Sequence, residues 1–163
     1  MDHPPVTLHV LTVDEWPLFR EVRLQALSEA PYAFGSTLDY WLGEGDTEQR
    51  WRQRLSEVPF NAVARLEETP AGMASATKPN SDGVTELISM WVAPLARGKG
   101  VADLLVEAVI CWAREQHLTE IGLEVMEDNG RARAFYRRHG FVDQGSVETP
   151  PGTRQERRML RPA

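Results

Sequence analysis

The chain has 163 residues, of which 42% are hydrophobic and 26% are charged, and its formal net charge at pH 7 is −6. A chain of this length can bury roughly 70% of the surface that its unfolded form exposes, so we expect one domain over residues 1–163. Contacts to phosphates need clustered Lys and Arg on one face, so this acidic balance argues against a nucleic-acid partner.

The N-terminal part predicts one strand and two helices. Residues 6–12 alternate well enough for a strand. Residues 14–30 carry apolar side chains at helical spacing after Asp14, which we expect to be the N-cap. Residues 47–57 predict a short amphipathic helix. The element order therefore begins with a strand followed by two helices.

The segment between those helices, residues 31–46, mixes Pro, Gly and aromatic residues. Connecting segments on a rigid scaffold frequently carry binding residues, so Phe34 and Trp41 are candidate substrate-binding residues at the lip of a site. An alternative reading is that Phe34, Tyr40 and Trp41 fill the edge of the core.

Three β-rich runs follow at residues 61–67, 71–77 and 84–92, separated by the turn-forming sequences ETP and KPNSDG, and they predict an antiparallel meander. The spacing of the apolar residues then changes from that of a strand to that of a helix. From Val101 the apolar residues recur at i, i+3, i+4 and i+7, which predicts a helix of about four turns. The next strand, residues 120–126, completes a βαβ unit with residues 84–92, and the strands of such a unit are parallel.

The C-terminal part predicts a short helix and a closing hairpin. The helix starts at Asn129, and Gly140 is placed to end it. The runs FVDQGSV and RQERRML, joined across TPPG, form the hairpin. Four basic residues of its second half have the spacing of the solvent face of an edge strand: Arg154, Arg157, Arg158 and Arg161.

Several kinds of site are disfavoured by composition. A single cysteine, Cys111, excludes an internal disulfide, and its position near the apolar stripe of the helix from Val101 indicates core packing. The four histidines show no paired ligand spacing, so we expect no metal site. The sequence has no apolar run near the ~20 residues of a membrane span and no signal-peptide pattern at its start, so we expect no membrane partner and a cytoplasmic location.

The turn PLARGKGVADLL separates a predicted strand from a predicted helix. Gly98 and Gly100 would let the backbone approach a ligand, and the helix start would direct unpaired N–H groups and a positive dipole end at the same point. Arg97 and Lys99 add positive charge, so the turn could hold an anion, most naturally a phosphate. The alternative is an ordinary strand-to-helix turn. The dinucleotide pattern GxGxxG fails here because Asp103 stands at its third glycine, and the Walker pattern fails as well.

Two segments match a known family. Arg97-x-x-Gly100-x-Ala102 resembles the [QR]xxGx[GA] signature of the GNAT superfamily of acyl-CoA N-acetyltransferases. The segment NGRARAFYRRHGF resembles the family's second coenzyme A motif, through Asn129, Ala132, Tyr136, Gly140 and Phe141. The order of the predicted elements also fits this family. The resemblance is strongest from residue 86 to residue 141 and weak before residue 60.

This resemblance implies a mixed, mostly antiparallel α/β (α+β) sheet of six to seven strands, with a parallel pair at the coenzyme A site and about four flanking helices. It implies acetyl-CoA as cosubstrate. The implied cofactor-binding residues are Met90, Trp91 and Val92 through their backbone, the loop residues Arg97, Gly98, Lys99, Gly100, Val101, Ala102 and Asp103, and Asn129, Ala132 and Tyr136 of the second motif.

The resemblance also implies catalytic residues. An amine with a pKa of about 10.4 must lose a proton before it can attack a thioester. Glu86 matches the base of the histone-acetylating branch and Glu124 matches that of the branch that acetylates protein N-termini, and both stay open here. Tyr136 matches the general acid that protonates the departing thiolate. Backbone N–H groups of residues 90–92 would stabilise the tetrahedral oxyanion.

We therefore expect an acetyl-CoA-dependent N-acetyltransferase that acts on a primary amine of a small molecule or peptide by direct attack. An acyl-CoA-binding sensor that has lost turnover is the alternative. A homodimer is possible, since domains of this family often pair. A mixture of aromatic and acidic residues favours a cationic acceptor with apolar parts, namely Phe34, Trp41, Glu44, Asp46, Glu48 and Trp51.

Overall fold

A single sheet of seven strands, in the order β1-β2-β3-β4-β5-β7-β6, organises the computed structural model, which describes residues 5–30 and 37–163. All neighbouring strands are antiparallel except β4 and β5, which are parallel. The predicted mixed sheet with one parallel pair is confirmed. The strands are Val6–Val10 (β1), Phe60–Leu66 (β2), Thr69–Ala76 (β3), Val84–Val92 (β4), Glu120–Met126 (β5), Val142–Val147 (β6) and Glu156–Pro162 (β7).

Five α-helices are formed by the described residues: Trp16–Glu29 (α1), Leu38–Trp41 (α2), Glu48–Glu57 (α3), Val101–Glu115 (α4) and Gly130–Arg138 (α5). The prediction of Asp14 as N-cap is wrong. A 3₁₀ turn, Val13–Glu15, precedes α1, and Thr12 caps this turn, with its N–H donating to the Glu15 carboxylate at 2.9 Å. Asp14 instead accepts a hydrogen bond from Arg52 of α3 at 2.7 Å, which joins this turn to α3.

The two faces of the sheet carry separate cores. On one face α4 packs its buried stripe, which includes Val101, Leu105 and Val109, against the strands. On the other face α1 and α3 bury Phe19 and Trp51 among residues of β2, β3 and β4. α4 therefore covers one face of the sheet, and α1 and α3 cover the other.

Cys111 is exposed on α4, so the expectation that it packs in the core is wrong. Six residues separate it from the buried Leu105, which at 3.6 residues per turn rotates it by roughly 120° around the helix. The prediction placed it by its spacing from Leu104, which itself lies at the half-buried border of the stripe.

The sheet opens between its two parallel strands. β4 and β5 pair only over Val84↔Glu120, Thr85↔Ile121 and Glu86↔Gly122, although both strands continue beyond that point. A bulge in β4 accompanies the opening, because Ser75 of β3 pairs with Ile88 while Met73 pairs with Trp91. Ser89 lies in this bulge with a left-handed φ of 55°. The carboxyl-terminal halves of β4 and β5 therefore diverge.

β7 lies between β5 and β6, so the expectation that its arginines lie on an edge strand is wrong. The predicted hairpin between β6 and β7 does form. β7 also pairs along its whole length with β5, from Glu120↔Pro162 to Met126↔Glu156. Some of its side chains, such as Arg158, consequently face the opening between β4 and β5.

Candidate active site

A cleft of about 2120 Å³ occupies the opening between β4 and β5. It is bounded by the start of α4, by α5, and by α1, α2 and α3 on the far side. Among the predicted site residues, Lys99 is not in its lining and Phe34 lies outside the described residues. All the others line it: Trp41, Glu86, Met90, Trp91, Val92, Arg97, Gly98, Gly100, Val101, Ala102, Asp103, Glu124, Asn129, Ala132 and Tyr136.

The start of α4 forms one end of the cleft. Gly98 and Gly100 have φ values of 78° and 82°, and the first helical bond runs from the Leu104 N–H to the Gly100 carbonyl at 3.1 Å. The amides of the first turn therefore have no acceptor within the helix. No protein atom lies within 4 Å of an ideal Cβ on either glycine, so the left-handed φ, and not crowding by the protein, requires glycine there. This end of the cleft suits an anion.

Two charged residues of this loop are held by other elements. The Arg97 guanidinium donates to Glu29 at the end of α1 at 3.0 Å, and the same carboxylate accepts from the Trp91 indole at 2.7 Å. The Asp103 carboxylate lies 2.8 Å from His139 at the end of α5, which holds this side chain against that helix.

Tyr136 lies on α5 with 9% of its surface exposed. Its ring packs edge-to-face against Phe135 and Phe141. Burial raises the pKa of the phenol to about 12, so the hydroxyl is protonated throughout the neutral range. At the start of the same helix the Asn129 side chain accepts from the Ala132 N–H at 3.1 Å, which confirms it as the N-cap.

The Glu86 carboxylate is held by an arginine from a strand two positions away. Both of its oxygens accept hydrogen bonds from Arg158 of β7, at 2.7 and 2.6 Å. The side chain of Arg158 crosses β5 at Gly122, where an added Cβ would lie 2.4 Å from its Nη2 atom. The hydrogen bond to Glu86 is the largest effect that raises the pKa of Arg158.

Glu124 and Glu156 form a second acidic group on the same wall. Glu124 is exposed on β5, and Glu156 lies at the start of β7. The pKa of Glu156 is raised, mainly by its burial and further by the charge and hydrogen bond of Glu124. Glu156 was not singled out from the sequence. The available signal was its spacing of two from Arg158, which places both side chains on one face of a strand.

Arginines of α1 and α3 lie on the opposite wall, together with the carboxylate residue Glu57. Arg23 of α1 and Arg54 of α3 both line the cleft and both donate to the Ser89 hydroxyl in the β4 bulge, at 3.1 and 3.4 Å. Arg54 also donates to Asn61 at 3.0 Å and to Ser75 at 3.4 Å. Burial lowers the pKa of each guanidinium to about 10, which leaves both charged at neutral pH. These arginines, and Arg131 and Arg138 of α5 in the same lining, were not predicted from the sequence.

The residues from which the sequence predicted a cationic acceptor make contacts within the protein. Trp51 is 0% exposed and stacks on Trp41 with 4.6 Å between ring centroids, so these two rings fill the core edge, although Trp41 also touches the cleft. Asp46 accepts from Arg20 and from the Trp51 indole, each at 2.7 Å. Glu48 accepts from Arg52 at 2.8 Å. The acidic side chains at 46 and 48 are therefore paired within the protein.

Neither a metal cluster nor a membrane span is found in the part of the chain that the structure describes. No group of three or more His, Cys, Asp or Glu side chains within residues 5–30 and 37–163 could hold a metal ion. In the same residues no helix is both long enough and apolar enough to cross a bilayer.

A mixed sheet that opens at a parallel pair, with a glycine-flanked helix start at the opening, is the architecture of an acetyltransferase class. Residues 22–141 match the model of the acetyltransferase (GNAT) family, so the chain belongs to that family.

Solved structures of low sequence identity share the fold. An acetyltransferase of the GNAT family from Streptococcus pneumoniae is 19% identical, with a TM-score of 0.78 over 97% of this chain and 99% of that one. A ribosomal-protein-alanine N-acetyltransferase from Brucella melitensis is 22% identical, with a TM-score of 0.71 over 96% and 99%. A putative acetyltransferase from Salmonella typhimurium, solved with its cofactor acetyl-CoA, is 16% identical, with a TM-score of 0.73 over 96% and 92%.

Proposed function

We propose that this protein transfers the acetyl group of acetyl-CoA to a primary amine by direct attack. The observation that carries the proposal is the shared cleft. The glycine loop, the open edge of β4, the Tyr136 phenol and a group of carboxylates all line one opening of the sheet. Each of these features meets a separate requirement of acyl transfer from a thioester.

The glycine loop and the α4 start would bind the pyrophosphate of acetyl-CoA. Backbone amides at a helix start favour an anion because they are fixed and carry the positive end of the helix dipole. β4 offers Met90 and Val92 on the edge that β5 leaves unpaired, where an extended pantetheine chain could bond to the strand. The Salmonella typhimurium structure contains acetyl-CoA in the same fold.

Glu124, supported by Glu156, is the better placed of the two candidate bases. Both oxygens of Glu86 already accept from Arg158, which leaves that carboxylate fewer lone pairs for an amine proton. Glu124 is exposed and lines the cleft beside Glu156, whose pKa is raised by burial and by the neighbouring Glu124, so this pair offers a place for a proton. We therefore assign Glu124 as the base, acting directly or through water, and Glu86 as a positioning residue.

In the transfer step the ammonium gives one proton to Glu124, which later passes it to solvent, and the neutral amine nitrogen attacks the thioester carbonyl carbon. Backbone N–H groups of β4 would stabilise the oxyanion, because they are fixed before the reaction. The carbon–sulfur bond then breaks, Tyr136 donates its hydrogen to the departing thiolate, and the phenolate recovers a proton from the attacking nitrogen through water as the amide forms. Burial raises the pKa of the phenol to about 12, so Tyr136 is protonated before the thiolate leaves. The products are an N-acetyl amide and free coenzyme A.

The proposal is tested in two stages on the purified chain. Calorimetric titration with acetyl-CoA, with NADH and ATP as controls, should give selective micromolar binding. Release of coenzyme A thiol is then followed with a panel of primary amines. The exposed Cys111 would react with a thiol reagent, so Cys111→Ser is the background for this assay. Binding without turnover of any amine would identify an acyl-CoA-binding protein instead, and absence of binding by the folded protein would overturn the cofactor assignment.

A further inference from the structure

We infer that the acceptor amine also carries an anionic oxygen group, a carboxylate or a phosphate, which Arg54 binds in the cleft. This inference rests on the proposed function, because it names the acceptor class of the same site. It replaces the cationic, apolar acceptor that the sequence favoured.

Arg54 differs from most paired arginines of this protein in what it contacts. Arg20, Arg157 and Arg158 each meet a carboxylate in the described residues. The hydrogen-bond acceptors recorded for Arg54 are the amide oxygen of Asn61 and the hydroxyls of Ser75 and Ser89. Its guanidinium also packs over the Phe19 ring at 5.1 Å. A half-buried charge is thus held in a fixed position by neutral groups.

Arg23 lies beside Arg54 in the cleft. It is 5% exposed and shares the Ser89 hydroxyl with Arg54. The charge of Arg23 lowers the pKa of Arg54, whereas the nearby Glu57 raises it. The Arg54 guanidinium lines the cleft and has the planar fork that matches carboxylate and phosphate oxygens in geometry.

The cleft has opposite charges at its two walls. Ser89, at the arginine wall, lies three residues after Glu86 on β4, roughly 10 Å at the rise of a strand. Glu86, Glu124 and Glu156 form the other wall. An acceptor that presents an ammonium group to the carboxylates and an oxyanion to the arginines satisfies both walls. A free amino acid, a short peptide with a free C-terminus, or an amino phosphate has this pattern.

The first test compares matched acceptors in the thiol-release assay. Amino acids and dipeptides are paired with their C-terminal amides, and ethanolamine phosphate is paired with ethanolamine. We expect kcat/KM to be at least tenfold higher for the anionic member of the carboxylate pairs or of the phosphate pair, and the better pair identifies the group. Equal rates within every pair, or faster neutral amines, would overturn the inference while leaving the proposed function intact.

The second test removes the charge. In Arg54→Gln the preference for the anionic member should fall to about one, through a higher KM for the acceptor, with the affinity for acetyl-CoA unchanged. Arg52→Gln is the matched control, because Arg52 lies on the same helix but pairs with Asp14 and Glu48 outside the cleft. The control should keep the full preference. A preference that survives Arg54→Gln would overturn the role of Arg54.

Failures of the two proposals remain distinguishable. If Arg54→Gln does not fold, Arg54→Lys keeps the charge without the planar fork, and it should reduce the preference several-fold; an unchanged preference would contradict the inference. If acetyl-CoA binds but no amine of either kind is acetylated, the amine acceptor and this inference both fall. If neutral and anionic amines react equally well, only the inference falls.

Discussion

Arg158 holds the Glu86 carboxylate with two hydrogen bonds, 2.6 and 2.7 Å long, that reach from β7 across Gly122 of β5 to β4. The contact joins β7 to β4 across β5, the strand that parts from β4 to form the cleft. It also distinguishes the two candidate bases. Glu86 is paired with an arginine, whereas Glu124 lines the cleft beside another acid, Glu156.

Replacement of Glu124 tests the assignment of the base. General-base catalysis contributes roughly 10²–10⁴-fold, so Glu124→Gln should lower kcat by about 100-fold. The KM for acetyl-CoA should stay the same. Glu120→Gln is the control, since it lies on the same strand outside the cleft lining. Full activity of Glu124→Gln would move the base elsewhere, and Glu156→Gln would then be the next variant.

Tyr136→Phe tests the general acid. We expect kcat to fall by about 10² or more, within the usual range for acid–base groups, while calorimetry gives an acetyl-CoA Kd within about twofold of the parent. A variant that kept the parent kcat would show that another group protonates the thiolate.

The raised pKa of Tyr136 predicts a dependence of stability on high pH. Because the folded pKa, about 12, lies above the ordinary value of 10.0, the contribution of this residue is fully present below pH 10 and is lost as the pH rises through 12. Absorbance of the phenolate should show an ionisation step well above pH 10, and Tyr136→Phe should remove that step. A titration without a step above the ordinary range of tyrosine would contradict the burial of this phenol.

Asp46 predicts a dependence of stability on low pH. Hydrogen bonds from Arg20 and Trp51 lower its pKa to about 2 from 3.8, so its contribution is present above pH 3.8 and is lost as the pH falls through 2. Asp143, whose pKa Arg157 also lowers to about 2, loses its contribution in the same range. Asp46→Asn should reduce the free energy of unfolding by about 1–3 kcal/mol at neutral pH. Urea unfolding at pH 7 and at pH 3 should show a smaller acid effect in this variant than in the parent.

Gly72 predicts a link between packing and cofactor binding. A Cβ at this position would lie 2.7 Å from the Trp91 carbonyl oxygen and 3.0 Å from side-chain atoms of Val101 and Leu105. Gly72→Ala should therefore push the start of α4 off the sheet, at a cost of about 1–3 kcal/mol, and weaken acetyl-CoA binding. Gly130→Ala meets no atom within 4 Å and is the control. Equal melting temperatures and equal Kd values for the two variants would argue against this packing constraint.

The sequence was most informative where local patterns and the fold agree. The bounds of β4 and β5 match the predicted runs 84–92 and 120–126, because both strands are β-rich and flanked by turn residues or a change of period. The two motifs identified the glycine loop and α5 for the same reason, since each is a continuous segment with its own capping residues.

The missed features depend on contacts between distant segments. Arg23 and Arg54 lie on amphipathic helices whose arginines normally face solvent, and only the packing of α1 and α3 over the β4 bulge directs them inward. The insertion of β7 between β5 and β6 likewise reflects strand pairing, which a hairpin signal does not specify. The charged side chains of both walls are therefore brought to the cleft by contacts between segments that are distant in the sequence.

The three-pair junction of β4 and β5 divides the ladder of the sheet into a four-strand unit and a three-strand unit. A molecule bound in the opening contacts both units, so part of its binding free energy stabilises the junction between them. Native-state hydrogen exchange should accordingly be slowed most in β5, β7 and β6 when ligand is added. Release of the products must break the contacts that join the two units. The rate of turnover and the local stability of the C-terminal unit therefore depend on the same contacts.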